Sequence, residues 1–212
     1  YIGNTDIETI IAEIDFLTDG EDESYYRGWF DLERFKNHIQ ELFFKNDKDG
    51  FYSWNGLRYF LYEYELHLQD NANPKVRWED FSKRTKEDTI EHIYPQSATD
   101  KYWKERFGHL KLTEKRVCLN SLGNLLLLSR SKNSKLQNYD FDKKKRLINK
   151  DGKDIGYYNG SYSEIEVSKQ NEWTTETIKE RGLSMLQFME ERWKFKFKDW
   201  EIDMEEILFP SK

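Results

Sequence analysis

Two stretches organise the chain, Glu91-His92-Ile93-Tyr94-Pro95-Gln96 and Leu122-Gly123-Asn124-Leu125-Leu126-Leu127-Leu128. The first continues an alternation of polar and apolar residues that begins at Asp88, which predicts a short, half-buried strand that Pro95 ends. The second is so continuously apolar that it predicts a buried strand. Ser129 follows it and predicts the start of a helix. The sequence therefore places two strands and then a helix (ββα) at the centre of the protein.

Four polar side chains of this region favour metal-assisted hydrolysis of a phosphodiester: Glu91, His92, Asn124 and Asn133. An imidazole with an ordinary pKa of about 6.5 can take a proton from water at neutral pH. A carboxylate and an amide oxygen are hard ligands that suit Mg²⁺ rather than a thiophilic metal. Phosphodiester hydrolysis needs both parts, a base for the water and a cation for the negative charge. This order of residues therefore indicates a one-metal nuclease.

The spacing imposes a geometric condition on such a site. Adjacent residues of a strand point to opposite faces, so Glu91 and His92 converge only where a twist or bulge at the strand end re-aims one of them. Pro95 lies just beyond and is consistent with such a break. We therefore expect a distortion at the end of the first strand, with Asn133 approaching from the helix to close the third side of the site.

Four motifs stand in the chain in the order Glu91-His92-Ile93-Tyr94-Pro95-Gln96, Leu122-Gly123-Asn124-Leu125, Asn133-Ser134 and Asn138-Tyr139-Asp140-Phe141-Asp142-Lys143-Lys144. In this order they resemble the His-Me finger (HNH) domain at the C-terminus of GmrSD-type restriction endonucleases. Four motifs in the right order are more specific than any one of them alone. The similarity covers residues 51–193, whereas residues 1–50 match less distinctively.

The resemblance implies a ββα-metal (His-Me finger) core embedded in a predominantly helical α+β domain. It also implies a DNA endonuclease, the cutting module of a modification-sensing or phage-defence restriction protein. By this resemblance His92 is the general base, and Glu91 and Asn133 ligate Mg²⁺ (or Mn²⁺). Many related domains have Asp where this chain has Glu91, and the extra methylene changes the reach to the metal. Asn124 is expected to hold the strand that carries His92 and to orient its imidazole.

The net charge of −6 hides an uneven distribution along the chain. Residues 1–80 hold 8 Lys and Arg against 18 Asp and Glu, whereas residues 101–150 hold 14 against 4. The basic charge therefore falls around the motifs, where a phosphate backbone would lie. The candidate nucleic-acid contacts are Lys132, Lys135, Asn138, Lys144 and Arg181.

Several of these contacts have a structural alternative. The ordinary role of a basic run such as residues 143–146 is a solvated helix face, although its place beside Asn133 favours a phosphate contact. Asn138, Phe141 and Lys144 serve the fold equally well. Arg181 also fits an ion pair near its own helix, and the structural role is the favoured one for it.

Periodicity divides the chain into three parts: an acidic helical subdomain (1–80), the ββα-metal nuclease core (81–150), and a loop or hairpin with a C-terminal helix that packs on the core (151–212). Helices are predicted over residues 7–17, 30–44, 54–68, 101–107, 142–149 and 174–195. Thr174 or Thr175 is the expected N-cap of the last helix, and residues 152–166 are expected to form a loop or hairpin. The stretch 194–198 fits either an exposed strand or an irregular helix end.

Composition excludes several classes of protein. Cys118 is the only cysteine, so a disulfide framework and a closed zinc site are not expected. No apolar run approaches the roughly 20 residues that span a bilayer, and no signal-peptide pattern is present. We expect a cytoplasmic protein without membrane contact. Because Tyr1 is not an initiator methionine, we also expect a piece of a longer protein, and the resemblance implies an upstream sensor or NTPase module.

Two other functions remain open at this point. A degenerate finger would bind nucleic acid through its basic surface without cutting it, although the intact Glu91, His92 and Asn133 argue against decay. An RNase or toxin nuclease would use the same residues, and DNA is preferred only because the resembled family acts on DNA. The sequence leaves the oligomeric state open, a homo-oligomer included.

Overall fold

The computed structural model of the chain describes residues 32–45, 48–69 and 88–211. Within these ranges the protein is predominantly helical, with one small two-stranded sheet. This confirms the predicted α+β class. The helix predicted over residues 7–17 lies outside the described residues. None of the described helices is both long and apolar enough to cross a membrane.

The described residues form two strands, nine helices and four 3-10 turns. The strands are β1 (Asp88–His92) and β2 (Leu125–Ser129). The helices are α1 (Leu32–Phe44), α2 (Leu57–Gln69), α3 (Lys101–Phe107), α4 (Leu112–Asn120), α5 (Arg130–Leu136), α6 (Phe141–Lys145), α7 (Tyr162–Ser168), α8 (Thr175–Trp193) and α9 (Met204–Leu208). Single 3-10 turns form at Gly50–Ser53, Leu122–Asn124, Tyr157–Asn159 and Phe197–Trp200.

The two strands pair antiparallel in a regular register that runs from Asp88 opposite Ser129 to His92 opposite Leu125. One more backbone hydrogen bond, from Ile93 N to Asn124 O at 3.0 Å, continues the pairing beyond β1. The bulge expected at the end of this strand is therefore absent, because each residue from 88 to 92 has a single partner. The predicted distortion is wrong in this respect.

The continuous apolar run of β2 is explained by burial on both faces. Leu125 and Leu127 pack into a hydrophobic cluster with α1, α2 and α8, which includes Phe60 and Met185. Leu126 and Leu128 pack into a second cluster with the large side chains Trp103, Phe107, Phe141 and Trp173. A strand covered on both sides has no solvent face and so shows no polar alternation.

Local capping fixes several helix starts where the sequence predicted them. The Ser129 hydroxyl accepts a hydrogen bond from Lys132 N at 3.3 Å and caps α5. Thr174 caps α8 and accepts from Thr177 N at 3.4 Å. Such caps satisfy backbone N–H groups that have no partner inside the helix. The predicted helix over residues 101–107 is confirmed at both ends as α3.

Three helices, α4, α7 and α9, were not expected from periodicity. In α4 only Cys118 and Asn120 are buried and Leu112 is 84% exposed, so the helix has no apolar stripe to reveal it. In α7 the signal was a capping box, with Ser161 at the N-cap and Glu164 three positions later. The Gly and Tyr content of the region concealed that pattern.

Several element boundaries also differ from the predicted ones. Helix α6 ends at Lys145, well before the expected residue 149, because Ile148 pairs with Asp154 across a short hairpin. Strand β2 begins at Leu125 rather than at residue 122, because Leu122–Asn124 forms a 3-10 turn. After α8, Lys194 adopts a left-handed conformation that ends the helix, which settles the stretch 194–198 as an irregular helix end followed by a 3-10 turn.

The tight turn before β2 depends on a close approach between two glycines. A Cβ at Gly123 would lie 1.9 Å from Ile178 O and 2.7 Å from Gly182 N, both in α8. Only a residue without a side chain allows the turn to sit this close to the helix. The glycine of the Leu122-Gly123-Asn124-Leu125 motif therefore allows α8 to pack closely against the turn that leads into β2.

Candidate active site

A pocket of about 300 Å³ lies beside β1 and contains three of the four candidate catalytic and metal-binding residues. Its lining consists of Tyr52, Thr89, Ile90, Glu91, His92, Pro95, Gln96, Asn133, Gln137 and Asn138. The fold thus brings Glu91, His92 and Asn133 together from β1 and α5. The fourth residue, Asn124, is fully buried and does not line the pocket.

His92 is held as a neutral imidazole. Its side chain is only 6% exposed, its ring packs against the ring of Tyr52 at 4.6 Å, and its Nε2 lies 3.2 Å from Asn120 Oδ1. Burial lowers the pKa of His92 from 6.5 to about 4, since the charged form loses its hydration. At neutral pH the imidazole is therefore unprotonated and able to accept a proton.

This lowered pKa predicts a pH dependence of stability. Between about pH 6.5 and 4 the unfolded chain protonates this histidine while the folded chain does not, so the unfolded state binds more protons. We expect His92 to remove roughly 3 kcal/mol from the free energy of unfolding as the pH falls through this window. Urea titrations in EDTA would measure it as the difference between wild type and His92→Gln. If the free energy of unfolding changed equally with pH in both proteins, the lowered pKa of His92 would be contradicted. The control is His109→Ala, which removes an exposed histidine.

Glu91 lies on the side of β1 opposite the partners of His92, in a buried polar cluster. Its Oε1 accepts hydrogen bonds from Lys144 Nζ at 2.6 Å and from the Tyr157 hydroxyl at 3.2 Å. Burial raises the pKa of the Glu91 carboxyl, and the Lys144 ammonium opposes this rise. Burial also raises the pKa of Tyr157 well above its usual value, so its hydroxyl remains a donor.

Lys144 serves the interior of the protein. Its side chain is completely buried, and besides Glu91 its ammonium donates to His92 O and Ile93 O, both at 3.1 Å. An ammonium has three N–H donors, and all three are used. No donor is left for a phosphate, so the structure favours the structural alternative for this residue and corrects its expected place among the nucleic-acid contacts.

Asn133 approaches β1 from α5, as the sequence predicted. Its Nδ2 donates a hydrogen bond to Thr89 Oγ1 at 2.8 Å. Thr89 and Glu91 are two residues apart on a regular strand and so share one face. The amide oxygen of Asn133 has no hydrogen-bond partner among the described residues. Asn133 therefore lies on the face of β1 that carries Glu91.

The side chain of Asn124 makes hydrogen bonds that fix the backbone around the site. Its Oδ1 accepts from Tyr94 N at 2.8 Å and from Trp173 Nε1 at 3.0 Å. Its Nδ2 donates to Tyr94 O at 3.0 Å and to Leu119 O at 2.8 Å. All its hydrogen-bonding capacity is used inside the protein. The side chain therefore ties the loop after β1 to the end of α4 and has no contact with the pocket.

Two predicted nucleic-acid contacts also turn inward. Lys132 Nζ donates to Gly156 O at 3.0 Å and forms an ion pair with Glu164. Arg181 is 6% exposed and donates through Nη1 to Gly123 O at 2.8 Å and Leu125 O at 2.9 Å, while its Nε contacts Glu166. These hydrogen bonds support the turn before β2. They correct the expectation of a phosphate contact for both side chains.

Lys135 and Asn138 are the two predicted contacts that remain at the surface. Both are exposed, and Asn138 lines the 300 Å³ pocket. Lys135 lines an adjacent pocket of about 440 Å³ that shares Gln137 with the first. The Lys135 side chain therefore lies at the surface beside the candidate site.

Several residues of the site were missed by sequence reasoning. Tyr52, Thr89, Asn120 and Tyr157 all contact Glu91, His92 or Asn133. Thr89 was accessible to prediction, because the two-residue period of a strand places it on the face of Glu91. The other three lie on separate elements whose packing no local pattern reveals.

Within the described part of the chain no three His, Cys, Asp or Glu side chains gather as a metal-binding cluster. The oxygens of Glu91 and Asn133 nevertheless fit a hard cation that keeps most of its coordination positions for water and substrate, as Mg²⁺ does. One carboxylate oxygen, Glu91 Oε2, has no hydrogen bond to the described residues. The donor set therefore suits a magnesium site with few protein ligands.

Comparison with known proteins agrees with the motifs. The family model for the C-terminal domain of GmrSD restriction endonucleases matches residues 15–188, which is most of the chain and includes every residue of the pocket. Searches of curated proteins and of solved structures gave no match. The family resemblance of the four motifs is thereby confirmed, and the chain belongs to the C-terminal domains of GmrSD restriction endonucleases.

Proposed function

We propose that this chain is a metal-dependent HNH endonuclease module that hydrolyses DNA phosphodiester bonds. It would be the cutting part of a longer, modification-sensing restriction protein that acts in phage defence. The observation that carries the proposal is that Glu91, His92 and Asn133 all line one pocket of about 300 Å³. Family membership supports it, because the matched family consists of restriction endonuclease C-terminal domains.

The element order supports assignment to the ββα-metal class. Strands β1 and β2 pair antiparallel, and α5 begins directly after β2. In this arrangement the base and one metal ligand come from β1 and the second ligand comes from α5. The regular register sets the ligand oxygen of Glu91 apart from the imidazole of His92, which suits separate roles for the two groups.

Each of these residues has a separate role in the proposed reaction. Neutral His92 takes a proton from the water that attacks phosphorus. Glu91 Oε2 and Asn133 Oδ1 would hold a divalent cation, Mg²⁺ or Mn²⁺, which when bound supplies positive charge for the phosphate and the leaving oxygen. Lys144 and Tyr157 fix the other oxygen of Glu91, so the carboxylate is oriented before substrate arrives.

The neighbouring pocket provides a path for the nucleic-acid backbone. It adjoins the candidate site at Gln137 and carries the exposed Lys135 and Lys150, with Tyr139 on its wall. Its single acidic residue, Asp151, accepts a hydrogen bond from Asn149 Nδ2 within its own hairpin. Two ammonium groups in a pocket that adjoins the site suit phosphates that flank the scissile bond.

A plasmid assay tests the proposal. The protein is incubated with supercoiled plasmid, modified and unmodified, with Mg²⁺ or with EDTA, and in parallel with RNA. We expect nicking or linearisation of DNA that EDTA abolishes. Binding of plasmid without any cleavage under Mg²⁺ or Mn²⁺ would instead support a non-catalytic binding module. Preferred cleavage of RNA would support an RNase or toxin nuclease with the same site.

The role of Asn133 gives a separate prediction. Replacing Asn133 by alanine removes the amide oxygen from the face of Glu91, so we expect the Mg²⁺ concentration for half-maximal cleavage to rise at least about tenfold. Loss of a residue that only supports a metal ligand already weakens metal binding 10–100-fold. The measurement is the cleavage rate across a Mg²⁺ titration. Asn171→Ala, an exposed asparagine outside the pocket, is the control, and an unchanged titration for Asn133→Ala would refute the ligand assignment.

A further inference from the structure

We infer that Asn120 fixes the tautomer of His92, so that the imidazole carries its hydrogen on Nε2 and offers Nδ1 as the nitrogen that takes the proton from water. Asn120 is thus a positioning residue that acts through His92. The inference deepens the proposed function and rests on it for its catalytic meaning. The tautomer itself follows from the hydrogen bonds alone.

The first step is the orientation of the Asn120 amide. Asn120 is the last residue of α4 and is 2% exposed. Its Nδ2 donates a hydrogen bond to Arg116 O, one turn earlier, at 3.1 Å. A backbone carbonyl only accepts, so the NH₂ group must face Arg116 and the amide oxygen must face the other way. That oxygen lies 3.2 Å from His92 Nε2.

The second step follows from the chemistry of the two groups. The amide oxygen of Asn120 has no hydrogen to give, so Nε2 of His92 must be the donor in this hydrogen bond. A neutral imidazole carries one N–H, and its position is set by the hydrogen bond that this nitrogen makes. The lone pair therefore resides on Nδ1, which has no hydrogen-bond partner among the described residues.

The third step is the rigidity of this pair. Asn124 binds Leu119 O, next to Asn120, and both backbone groups of Tyr94, two residues after His92. The same side chain thus fixes the backbone on both sides of the Asn120–His92 hydrogen bond. The ring of Tyr52 packs against the imidazole and restricts its rotation. The orientation of His92 is therefore determined from three directions.

Nitrogen NMR of the ¹⁵N-labelled protein tests the inference directly. At neutral pH in EDTA we expect His92 to show a protonated Nε2 and an unprotonated Nδ1, with the Nε2 hydrogen protected from exchange. Asn120→Asp keeps an oxygen acceptor for Nε2–H, whereas Asn120→Ala removes it. We expect the alanine variant to lose the exchange protection and to lower kcat about 10- to 100-fold with little change in KM, the range found for residues that orient a metal-bound histidine. The aspartate variant should retain the Nε2–H tautomer.

Ser168→Ala is the matched control, because Ser168 is a buried polar residue outside the pocket whose hydroxyl makes one hydrogen bond to Ile165 O. A wild-type spectrum with the hydrogen on Nδ1, or with a mixture of tautomers, would overturn the inference. An Asn120→Ala variant that kept both the protected hydrogen and the wild-type kcat would do the same. A wild-type protein that never cleaves would overturn the proposed function instead, and the spectrum would still decide the tautomer.

Discussion

Replacing His92 by alanine is expected to lower the rate of DNA cleavage by about 10²–10⁴-fold, the contribution of a positioned general base. No other described titratable side chain of the pocket is an imidazole, and the one carboxylate there, Glu91, is engaged by Lys144. DNA binding should persist, since the exposed Lys135 and Lys150 are untouched. Single-turnover cleavage under saturating Mg²⁺ and a separate binding titration would measure the two effects.

His92 is buried, so the alanine variant also needs a test of folding. Thermal unfolding of His92→Ala and of the larger His92→Gln, compared with the wild type, separates loss of the base from loss of structure. His109→Ala removes an exposed histidine outside the pocket and should cleave normally. A folded His92 variant that retained more than about a tenth of the wild-type rate would exclude this residue as the base, given the range expected for general base catalysis.

The second large effect is on stability. Replacing Lys144 by methionine is expected to lower the free energy of unfolding by about 3–5 kcal/mol, because it leaves the Glu91 carboxylate buried without its counter-charge. The carbonyls of His92 and Ile93 lose a donor at the same time. Urea denaturation at neutral pH would measure the loss. Lys153→Met, at an exposed position of the hairpin, should change stability by no more than about 0.5 kcal/mol.

A double variant separates the structural and chemical roles of this pair. Adding Glu91→Gln to Lys144→Met removes the unpaired charge, so part of the lost stability should return, although the two carbonyls still lack their donor. Metal-dependent cleavage should not return, because the carboxylate is gone. A Lys144→Met loss below about 1 kcal/mol would show that no buried charge depends on the ammonium. Full recovery of cleavage in the double variant would remove Glu91 from the reaction.

The elements around the site were largely readable from the sequence. Alternation before Pro95, the apolar run at 122–128 and the cap at Ser129 predicted both strands and the start of α5. These signals are local, since each depends on residues within one element. The position of Asn133 beside β1 followed from the order of those elements, because a helix that starts where the second strand ends packs on the same pair.

The environment of each side chain was less accessible. Lys144 looked like part of a basic surface, yet its ammonium is the partner of a carboxylate that lies 53 residues earlier. The guanidinium of Arg181 similarly donates hydrogen bonds to Gly123 O and Leu125 O, where β2 begins. Whether a cation faces solvent or a buried acid depends on tertiary packing, which charge counts along the chain do not contain. The same limit concealed Asn120, whose helix has no apolar stripe.

The position of Tyr52 matters for the design of shorter fragments of this protein. It belongs to the 3-10 turn between α1 and α2, and that region is anchored to α4 where Arg116 donates to Lys45 O and Lys48 O. A fragment that begins at β1 would keep Glu91, His92 and Asn133 but would lose the Tyr52 ring that packs against the imidazole of His92. We therefore expect the described helices before β1 to be needed to hold the imidazole of His92 in place, although they carry none of the four motifs.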